Sequence, residues 1–286
     1  MNTSSSFDVK TQLGLQFAVH DGEGLLADFY APVTTAAVPV VIAAHGGAWK
    51  LGARGYYQHW GPWLASRGYA LMSIDYRLVA GERNRYPAAV QDMRAAVQFV
   101  RDSATSLGID PARIALMGDS AGAYLASLVA LAGDLEPFRG GTPGSTQGGI
   151  STRVKAVVGA YGVYDLLAQW EHDLQDRPRD QFTEAFLGIS AIENKRLYQE
   201  ASPYSYATAH AKDTAFLLIW GPEDDMVDWQ SQSQRFLVAL RQAGYLVRAA
   251  VVPGAGHFFM KEPIDEPHSF AAFVAPRLLR FLNEYL

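Results

Sequence analysis

Cysteine is missing from this chain of 286 residues. Its absence excludes disulfide bonds, thiolate metal sites and a cysteine nucleophile. It is compatible with a reducing cytoplasm, although many secreted chains also lack cysteine. Apolar stretches long enough to span a bilayer are missing too, and the polar start Met1–Ser6 has neither the cationic nor the apolar part of a signal peptide. We therefore expect a soluble protein of the cytoplasm that does not bind membranes.

An excess of positive charge is also missing. The chain has 24 lysines and arginines against 29 aspartates and glutamates, a formal net charge of −5. This balance provides no basic surface for nucleic acid or for an anionic membrane, so neither is expected as a partner. The chain is 49% apolar and 19% charged, proportions that are ordinary for a globular enzyme.

Short apolar runs alternate with helical stretches along most of the chain. The run Val38–Ala44 is continuous, as in a central strand covered on both faces. Further strands are predicted at Gly14–Val19, Leu25–Tyr30, Tyr69–Ile74, Ile114–Met117, Val154–Ala160, Phe216–Trp220 and Val247–Val252, and helices at Tyr57–Ser66, Pro87–Thr105, Ala121–Ala132, Trp229–Ala243 and Glu266–Tyr285. This alternation predicts a single α/β domain over residues 1–286, with a mostly parallel sheet and helices on both faces.

Two segments interrupt the alternation. Arg139–Thr152 is rich in glycine, serine, threonine and proline and is interpreted as a mobile surface loop. Asp165–Tyr206 is too long for a plain crossover and carries aromatic residues among many charges. We predict that it forms a small helical cap insertion at residues 165–206, over the C-terminal edge of the sheet, that shapes a substrate pocket. The alternative is an ordinary surface excursion.

The stretch Gly118–Gly122 holds the strongest candidate for a reactive group. It has the pattern Gly-x-Ser-x-Gly between an apolar strand and an apolar helix, so Ser120 lies where the chain turns sharply. Glycines suit this turn because a side chain at either position would crowd the helix against the strand. The turn lifts the Ser120 hydroxyl clear of the sheet and aims a helix N-terminus at whatever the serine attacks.

A serine hydroxyl needs a base, and in the chain order serine, acid, histidine the base comes late, on a loop. His257 is at the tip of the turn after the last predicted strand. His268, the other downstream histidine, is expected on the surface at the start of the last helix.

Several carboxylates could orient this base, because they follow predicted strands at the same sheet edge. Asp224 comes three residues after Gly221 and is preferred. Asp225 is a close rival, Asp228 is expected instead to cap the next helix, and Asp165 is a distant alternative.

The oxyanion of an acyl-transfer reaction needs hydrogen-bond donors that are already in place. The N–H of Ala121, directly after the serine, is one candidate, and Gly46 and Gly47 are the others because glycine lets backbone approach the substrate. His45 is expected to fix this loop. A metal site at His45 and His59 is set aside because no carboxylate or helical spacing supports it.

Together these motifs resemble the α/β-hydrolase carboxylesterases related to hormone-sensitive lipase and to bacterial BD-FAE-type esterases. They occur in the family's order over roughly residues 25 to 260. The matching pieces are His45–Trp49, Asp75–Leu78, Tyr86–Ala89 with Asp92, Gly118–Gly122, Phe186–Gly188, Ala201–Pro203, Gly221 with Asp224, and Gly256 with His257. Ala48 departs from the pattern because many members have a third glycine there, which leaves open which N–H groups of the loop point inward.

The resemblance implies an α/β-hydrolase fold and a cofactor-free, metal-free serine esterase. Ser120 would be the nucleophile, Asp224 the acid and His257 the base, with an oxyanion hole formed by Gly46, Gly47 and Ala121. The expected substrate is a small, short-chain or aromatic ester. No cationic clamp for a charged acid is evident, and a homodimer is possible. The pocket is expected to be lined by Trp49, Tyr124, Tyr161, Tyr164, Trp170, Phe186, Phe258 and Phe259.

Two other functions are considered. An arylformamidase-like amide hydrolase would use the same three residues, and only relative rates on an aryl formamide and a matched ester would separate it from an esterase. A binding protein on an inactive hydrolase scaffold would usually have lost one of the three. A Ser120→Ala variant that kept its full biological function would favour this binding role.

Overall fold

A computed structural model describes residues 6–20, 22–136, 138 and 150–286. Its strands are β1 Val9–His20, β2 Glu23–Pro32, β3 Val38–Ala44, β4 Ala70–Ile74, β5 Ile109–Asp119, β6 Ala156–Ala160, β7 Ala215–Trp220 and β8 Val247–Val251. Its α-helices are α1 Trp60–Ala65, α2 Ala88–Asp102, α3 Ala104–Leu107, α4 Ala121–Ala132, α5 Leu166–Asp176, α6 Phe182–Leu187, α7 Lys195–Glu200, α8 Arg235–Gln242 and α9 Phe270–Tyr285. Most of the predicted loop Arg139–Thr152 lies outside the described residues.

The eight strands form one sheet in the order β1-β2-β4-β3-β5-β6-β7-β8. The pairs β1–β2 and β2–β4 are antiparallel, and every other neighbouring pair is parallel. The prediction of a mostly parallel sheet is therefore confirmed. Because parallel strands end at one edge, the loops after β3, β5, β7 and β8 converge there.

The sheet is buried on both faces by two apolar clusters. Along β3, Ile42 belongs to the cluster that α2, α4 and α8 cover, whereas Val41 belongs to the cluster that α1 and α9 cover. This alternation follows from the two-residue period of a strand. It confirms that helices cover both faces and explains why the central strands are continuously apolar.

Several predicted helices have different bounds in the structure. The first of them is a 3₁₀ turn at Arg54–Tyr57 followed by α1, and the one predicted from Trp229 begins as a π-helical turn at Gln230–Gln234. The last helix begins at Phe270, because the hydroxyl of Ser269 accepts from the N–H of Ala272 and caps it. None of the helices in the described ranges combines the length and the apolar character needed to cross a membrane.

Candidate active site

Ser120 occupies a strained turn between β5 and α4. Its backbone has φ 51° and ψ −119°, which a residue with a side chain rarely adopts. Its N–H donates to the carbonyl of Ala160 at 2.9 Å, and its carbonyl accepts from the N–H of Tyr124 at 3.1 Å. These bonds fix the turn from β6 on one side and from α4 on the other. The serine is 8% exposed and lines a cavity.

The glycines on either side of the serine allow this close approach. A Cβ on Gly122 would lie 1.9 Å from the carbonyl oxygen of Ala44, and a Cβ on Gly118 would lie 2.1 Å from the carbonyl carbon of Gly122. Both contacts are with backbone, which cannot move aside. The predicted reason for glycine at these two positions is therefore confirmed.

His257 and Asp224 form a hydrogen-bonded pair at the same sheet edge. The Nδ1 atom of His257 lies 2.7 Å from Oδ2 of Asp224, and the two side chains are 3% and 1% exposed. The other carboxylate oxygen accepts from the N–H groups of Met226 and Val227, both at 2.9 Å. The carboxylate is thus held from two directions and occupies Nδ1, which leaves Nε2 as the nitrogen for proton transfer. His257 lines the same cavity as Ser120.

Two of the three rival acids are engaged elsewhere. Asp228 accepts from the N–H groups of Gln230 and Ser231, so its predicted capping role is confirmed. Asp165 caps α5 and pairs with Arg235 at 3.0 Å. Asp225 is exposed. Of the four predicted acids, Asp224 is the one in contact with His257.

The loop after β3 does not place both glycines at the cavity. The N–H of Gly46 donates to Oδ1 of Asp119 at 3.0 Å, so it is not available to an oxyanion and the assignment of Gly46 as a donor is wrong. Gly47, Ala48 and Ala121 line the cavity instead. Gly47 has φ 119°, and a Cβ there would lie 2.2 Å from the carbonyl oxygen of Leu51. The loop therefore turns sharply at Gly47, where it reaches the cavity.

Aspartate 119 connects this loop to the serine turn, a role that the sequence analysis missed. Its side chain is buried and accepts from the phenol of Tyr57 at 2.7 Å as well as from Gly46. Burial raises the pKa of Asp119 to about 6, although these hydrogen bonds and the nearby His257 act in the opposite direction. The only signal in the sequence is its place beside Ser120, since the partners lie 62 and 73 residues away.

His45 holds the same loop from inside, as predicted. Its Nδ1 lies 2.7 Å from the carbonyl oxygen of Gly46, and its own carbonyl accepts from the phenol of Tyr76 at 2.9 Å. The two rings stack with centroids 4.4 Å apart. Burial lowers the pKa of His45, which favours a neutral ring in this position.

The cavity has a volume of about 150 Å³, and its wall contains residues from the loops at the sheet edge and from the segment Asp165–Tyr206. It is lined by Gly47, Ala48, Trp49, Lys50, Leu51, Ser120, Ala121, Val163, Gln169, Asp173, Arg177, Phe182, Thr183, Met226, Val227, His257 and Phe258. Most of these side chains are apolar, as expected. Lys50 and Arg177 add two cationic residues to the wall, which the sequence analysis did not place there.

Only two of the eight predicted pocket aromatics, Trp49 and Phe258, line this cavity. The other six are core residues, each at most 9% exposed: Tyr124, Tyr161, Tyr164, Trp170, Phe186 and Phe259. They pack behind the wall or away from it. Phe186 stacks on Trp49 with ring centroids 4.2 Å apart, and the ring centroids of Tyr161 and His257 are 4.5 Å apart. Their assignment as substrate-binding residues is therefore corrected, because they are buried in the core and do not line the cavity.

The segment Asp165–Tyr206 supplies a polar part of the wall that the sequence analysis did not anticipate. It contains α5, α6 and α7, and it contributes Gln169, Asp173, Arg177, Phe182 and Thr183 to the cavity. Gln169 and Asp173 are four residues apart and share one face of α5, and Arg177 follows directly after the end of this helix. This spacing is visible in the sequence, but it is also the pattern of a solvated helix face.

The BD-FAE family profile matches residues 27–240 of the chain, which is about three quarters of its length. The chain belongs to the BD-FAE family. The match includes the loop after β3, the serine turn, the segment from Asp165 to Tyr206 and Asp224, but it ends before His257. The resemblance stated from the motifs is therefore confirmed for the family.

Curated relatives carry esterase names. Esterase LipQ of Mycobacterium tuberculosis is 34% identical over 77% of this chain and 50% of its own length, and Esterase LipC of the same organism is 33% identical over 79% and 54%. This BD-FAE family chain thus spans about half the length of the curated relatives it matches. Among solved structures, the thermophilic esterase Est2 of Thermogutta terrifontis superposes with a TM-score of 0.76 at 23% identity, over 99% of this chain and 93% of that one. This superposition confirms the predicted α/β-hydrolase fold.

Proposed function

We propose that this chain hydrolyses short-chain carboxylic esters through an acyl-enzyme formed on Ser120. The observation that carries the proposal is a strained serine turn in the same cavity as a buried histidine that is hydrogen-bonded to a buried carboxylate. The esterase names of LipQ and LipC support it. The apolar wall and the cavity volume of about 150 Å³ favour a short acyl group.

The geometry supports a two-step acyl transfer. Nε2 of His257 takes the proton from the hydroxyl of Ser120 as its oxygen attacks the ester carbonyl. The negative oxygen is then bound by backbone N–H groups, for which Gly47, Ala48 and Ala121 are our candidates. The protonated histidine gives its proton to the leaving alcohol as the carbon–oxygen bond breaks. A water molecule repeats the sequence and releases the acid.

In this mechanism Asp224 is an orienting group. It accepts from Nδ1 of His257 at 2.7 Å, which fixes the tautomer and stabilises the imidazolium that forms in each step. Its second oxygen is anchored by two backbone N–H groups of its own loop. The carboxylate therefore keeps its position while the charge on the histidine changes.

The test is a rapid-mixing burst experiment with p-nitrophenyl acetate and p-nitrophenyl octanoate. Wild type should release one equivalent of nitrophenol rapidly from the acetate and then turn over, whereas Ser120→Ala should show neither. Ser127→Ala is the matched control, since this buried serine lies on α4 and its hydroxyl has no partner among the described residues. Wild type that turns over neither ester would overturn the proposal.

The remaining expectations also stand as proposals. We propose a small-molecule ester as the substrate, a cap role for residues 165–206, and a cytoplasmic location. The contribution of five wall residues by that segment supports the cap role. Sedimentation of the purified chain would determine whether it forms a homodimer.

A further inference from the structure

Two buried polar residues of α5 face the cavity together with Ser120. Gln169 is 5% exposed and Asp173 is fully buried, and both line the same cavity as the serine and His257. They lie one helical turn apart, so their side chains are neighbours on one face. Their position in an otherwise largely apolar wall raises the question of what they bind.

Each of the two residues keeps one oxygen without a hydrogen bond. The amide nitrogen of Gln169 donates to Oδ1 of Asp173 at 2.9 Å and to the carbonyl of Met226 at 3.0 Å. Because both partners are acceptors, they identify the nitrogen end of the side-chain amide, and the other end is the oxygen Oε1. Neither Oε1 of Gln169 nor Oδ2 of Asp173 has a partner among the described residues. Buried acceptors without a partner are rare, because burial removes their hydrogen bonds to water and nothing in the protein replaces them, which costs free energy.

The two cationic neighbours of Asp173 on the insertion have exposed carboxylates as partners, although Nε of Arg177 and Nε2 of His172 have no hydrogen-bond partner among the described residues. Arg177 pairs with Asp180 at 3.4 Å, and His172 pairs with Asp176 at 2.9 Å. Burial raises the pKa of Asp173, while the hydrogen bond from Gln169 and the charges of Arg177 and His172 lower it. Within the described part of the chain no cationic group lies within 4 Å of the Asp173 carboxylate. The cavity therefore contains a carboxylate that is hydrogen-bonded on one side only.

We propose that Gln169 and Asp173 form a subsite for a hydrogen-bond donor, a hydroxyl or a protonated amine, carried by the substrate away from its ester carbonyl. The inference rests on the proposed function, because the ester is held at Ser120. A protonated amine at this position could donate to both free oxygens and a hydroxyl to one of them, whereas an alkyl group would leave both unpaired. Sites of this kind discriminate strongly against analogues that lack the donor.

Substituted phenylboronic acids test the subsite without requiring turnover of the probe. The oxygen of Ser120 donates an electron pair to boron as its proton passes to His257, and no group leaves. The probes are phenylboronic acids that carry an ethyl, hydroxymethyl or aminomethyl group at ring position 3 or 4. These three groups are similar in size but differ in the number of hydrogen-bond donors. Their dissociation constants are measured by calorimetric titration of wild type and variants, and turnover of p-nitrophenyl acetate is measured separately.

We expect at least one donor-bearing compound to bind wild type about tenfold or more tightly than its ethyl analogue. A gain confined to the aminomethyl compounds identifies a cationic group, and a gain that includes the hydroxymethyl compounds identifies a neutral donor. Asp173→Leu should abolish the preference, and Gln169→Met should weaken it, which provides a second variant if the first does not fold. Asp176→Asn is the matched control on the same helix and should keep the preference, because this side chain is 61% exposed and lies outside the wall.

Ethyl compounds that bind wild type as tightly as the donor-bearing ones would overturn the inference. So would folded Asp173→Leu protein that keeps the preference. Failure of the proposed function has a different signature, namely no turnover of p-nitrophenyl acetate and no binding of any boronic acid.

Discussion

Two walls of the cavity are built in different ways. The sheet-borne wall consists of Gly47, Ser120, Ala121 and His257, which lie on loops that follow parallel strands or, for Ala121, at the start of α4. The insertion wall consists of Gln169, Asp173, Arg177, Phe182 and Thr183, which lie on or near the short helices α5 and α6. In the first wall the backbone is fixed by hydrogen bonds to neighbouring strands and loops. In the second, position depends on how short helices pack.

The difference suggests a division of roles. The sheet-borne wall holds a strained serine turn and a doubly anchored carboxylate, as a reaction that depends on accurate geometry requires. The insertion wall holds polar atoms whose bonding is incomplete. Changes in the first wall should therefore act on the chemical step, and changes in the second on which substrate is accepted.

The largest effect is expected at Asp224. In Asp224→Asn one oxygen can still accept from Met226 and Val227, but the amide nitrogen then faces Nδ1 of His257 and favours the wrong tautomer. We expect kcat on p-nitrophenyl acetate to fall by about 10⁴-fold, as for an amide replacement in other serine triads. Asp225→Asn, an exposed neighbour, is the control and should keep full activity. Equal activity of the two variants would mean that the carboxylate has no orienting role.

Much of the sheet-borne wall could be predicted because its signals are local. The turn at Ser120 needs small residues on both sides, and Gly118 and Gly122 each lie two residues from it in the chain. The order of strands and loops brings His257 and Asp224 to the same edge. Gly46 was misassigned because the direction of its N–H is determined by Asp119, 73 residues away, and not by the glycines themselves.

The insertion wall could not be predicted for the opposite reason. A glutamine, an aspartate and an arginine at four-residue spacing are typical of a solvated helix face. Only the packing of α5 shows that Gln169 and Asp173 are buried. The aromatic residues were misassigned in the same way, since composition cannot distinguish a ring that lines a cavity from one that supports it.

Adjacent phenylalanines sharpen this distinction between wall and core. Phe259 is 1% exposed, whereas Phe258 is 49% exposed and lines the cavity. Phe259→Ala should lower the free energy of unfolding by about 3–5 kcal/mol, because it leaves a void against Tyr161 and Phe270. Phe258→Ala should change that free energy little and raise KM instead. Urea unfolding and steady-state kinetics of both variants measure this, and similar losses of stability would contradict it.

A smaller effect is expected from the buried Asp119. Its pKa is raised from the ordinary 3.8 to about 6 by burial, so the folded state binds a proton more tightly than the unfolded state does. Stability contributed by this group is therefore complete below pH 4 and is lost as the pH rises through 6, by roughly 3 kcal/mol. Asp119→Asn does not titrate and should gain stability relative to wild type over this interval.

Urea unfolding of wild type and Asp119→Asn at pH 4.5 and pH 7 measures the change. Groups that do not interact with Asp119 titrate alike in the two proteins, so the difference between their unfolding free energies reports Asp119 together with its coupling to His257. The asparagine keeps an oxygen that can accept from Gly46 and Tyr57. A difference that is the same at both pH values would show that Asp119 has an ordinary pKa in the fold.

The smallest effect is expected at the start of the insertion wall. Asp165 accepts from the N–H groups of Leu167 and Ala168 at 3.0 and 3.1 Å, so it caps the helix that carries Gln169 and Asp173. Asp165→Ala should cost about 1 kcal/mol of stability. Asp165→Asn keeps the cap and loses only the ion pair to a half-exposed arginine, so it should lie within about 0.5 kcal/mol of wild type.

These two variants also test whether the insertion wall can change without the sheet-borne wall. Because Asp165 contacts neither Ser120 nor His257, kcat on p-nitrophenyl acetate should stay within about twofold in both, whereas selectivity among the boronic acids should fall in Asp165→Ala alone. A loss of kcat in Asp165→Ala that matches its loss of selectivity would mean that the two walls act as one unit. The division of roles would then have to be abandoned, since fraying the first turn of α5 would have moved groups on the sheet as well.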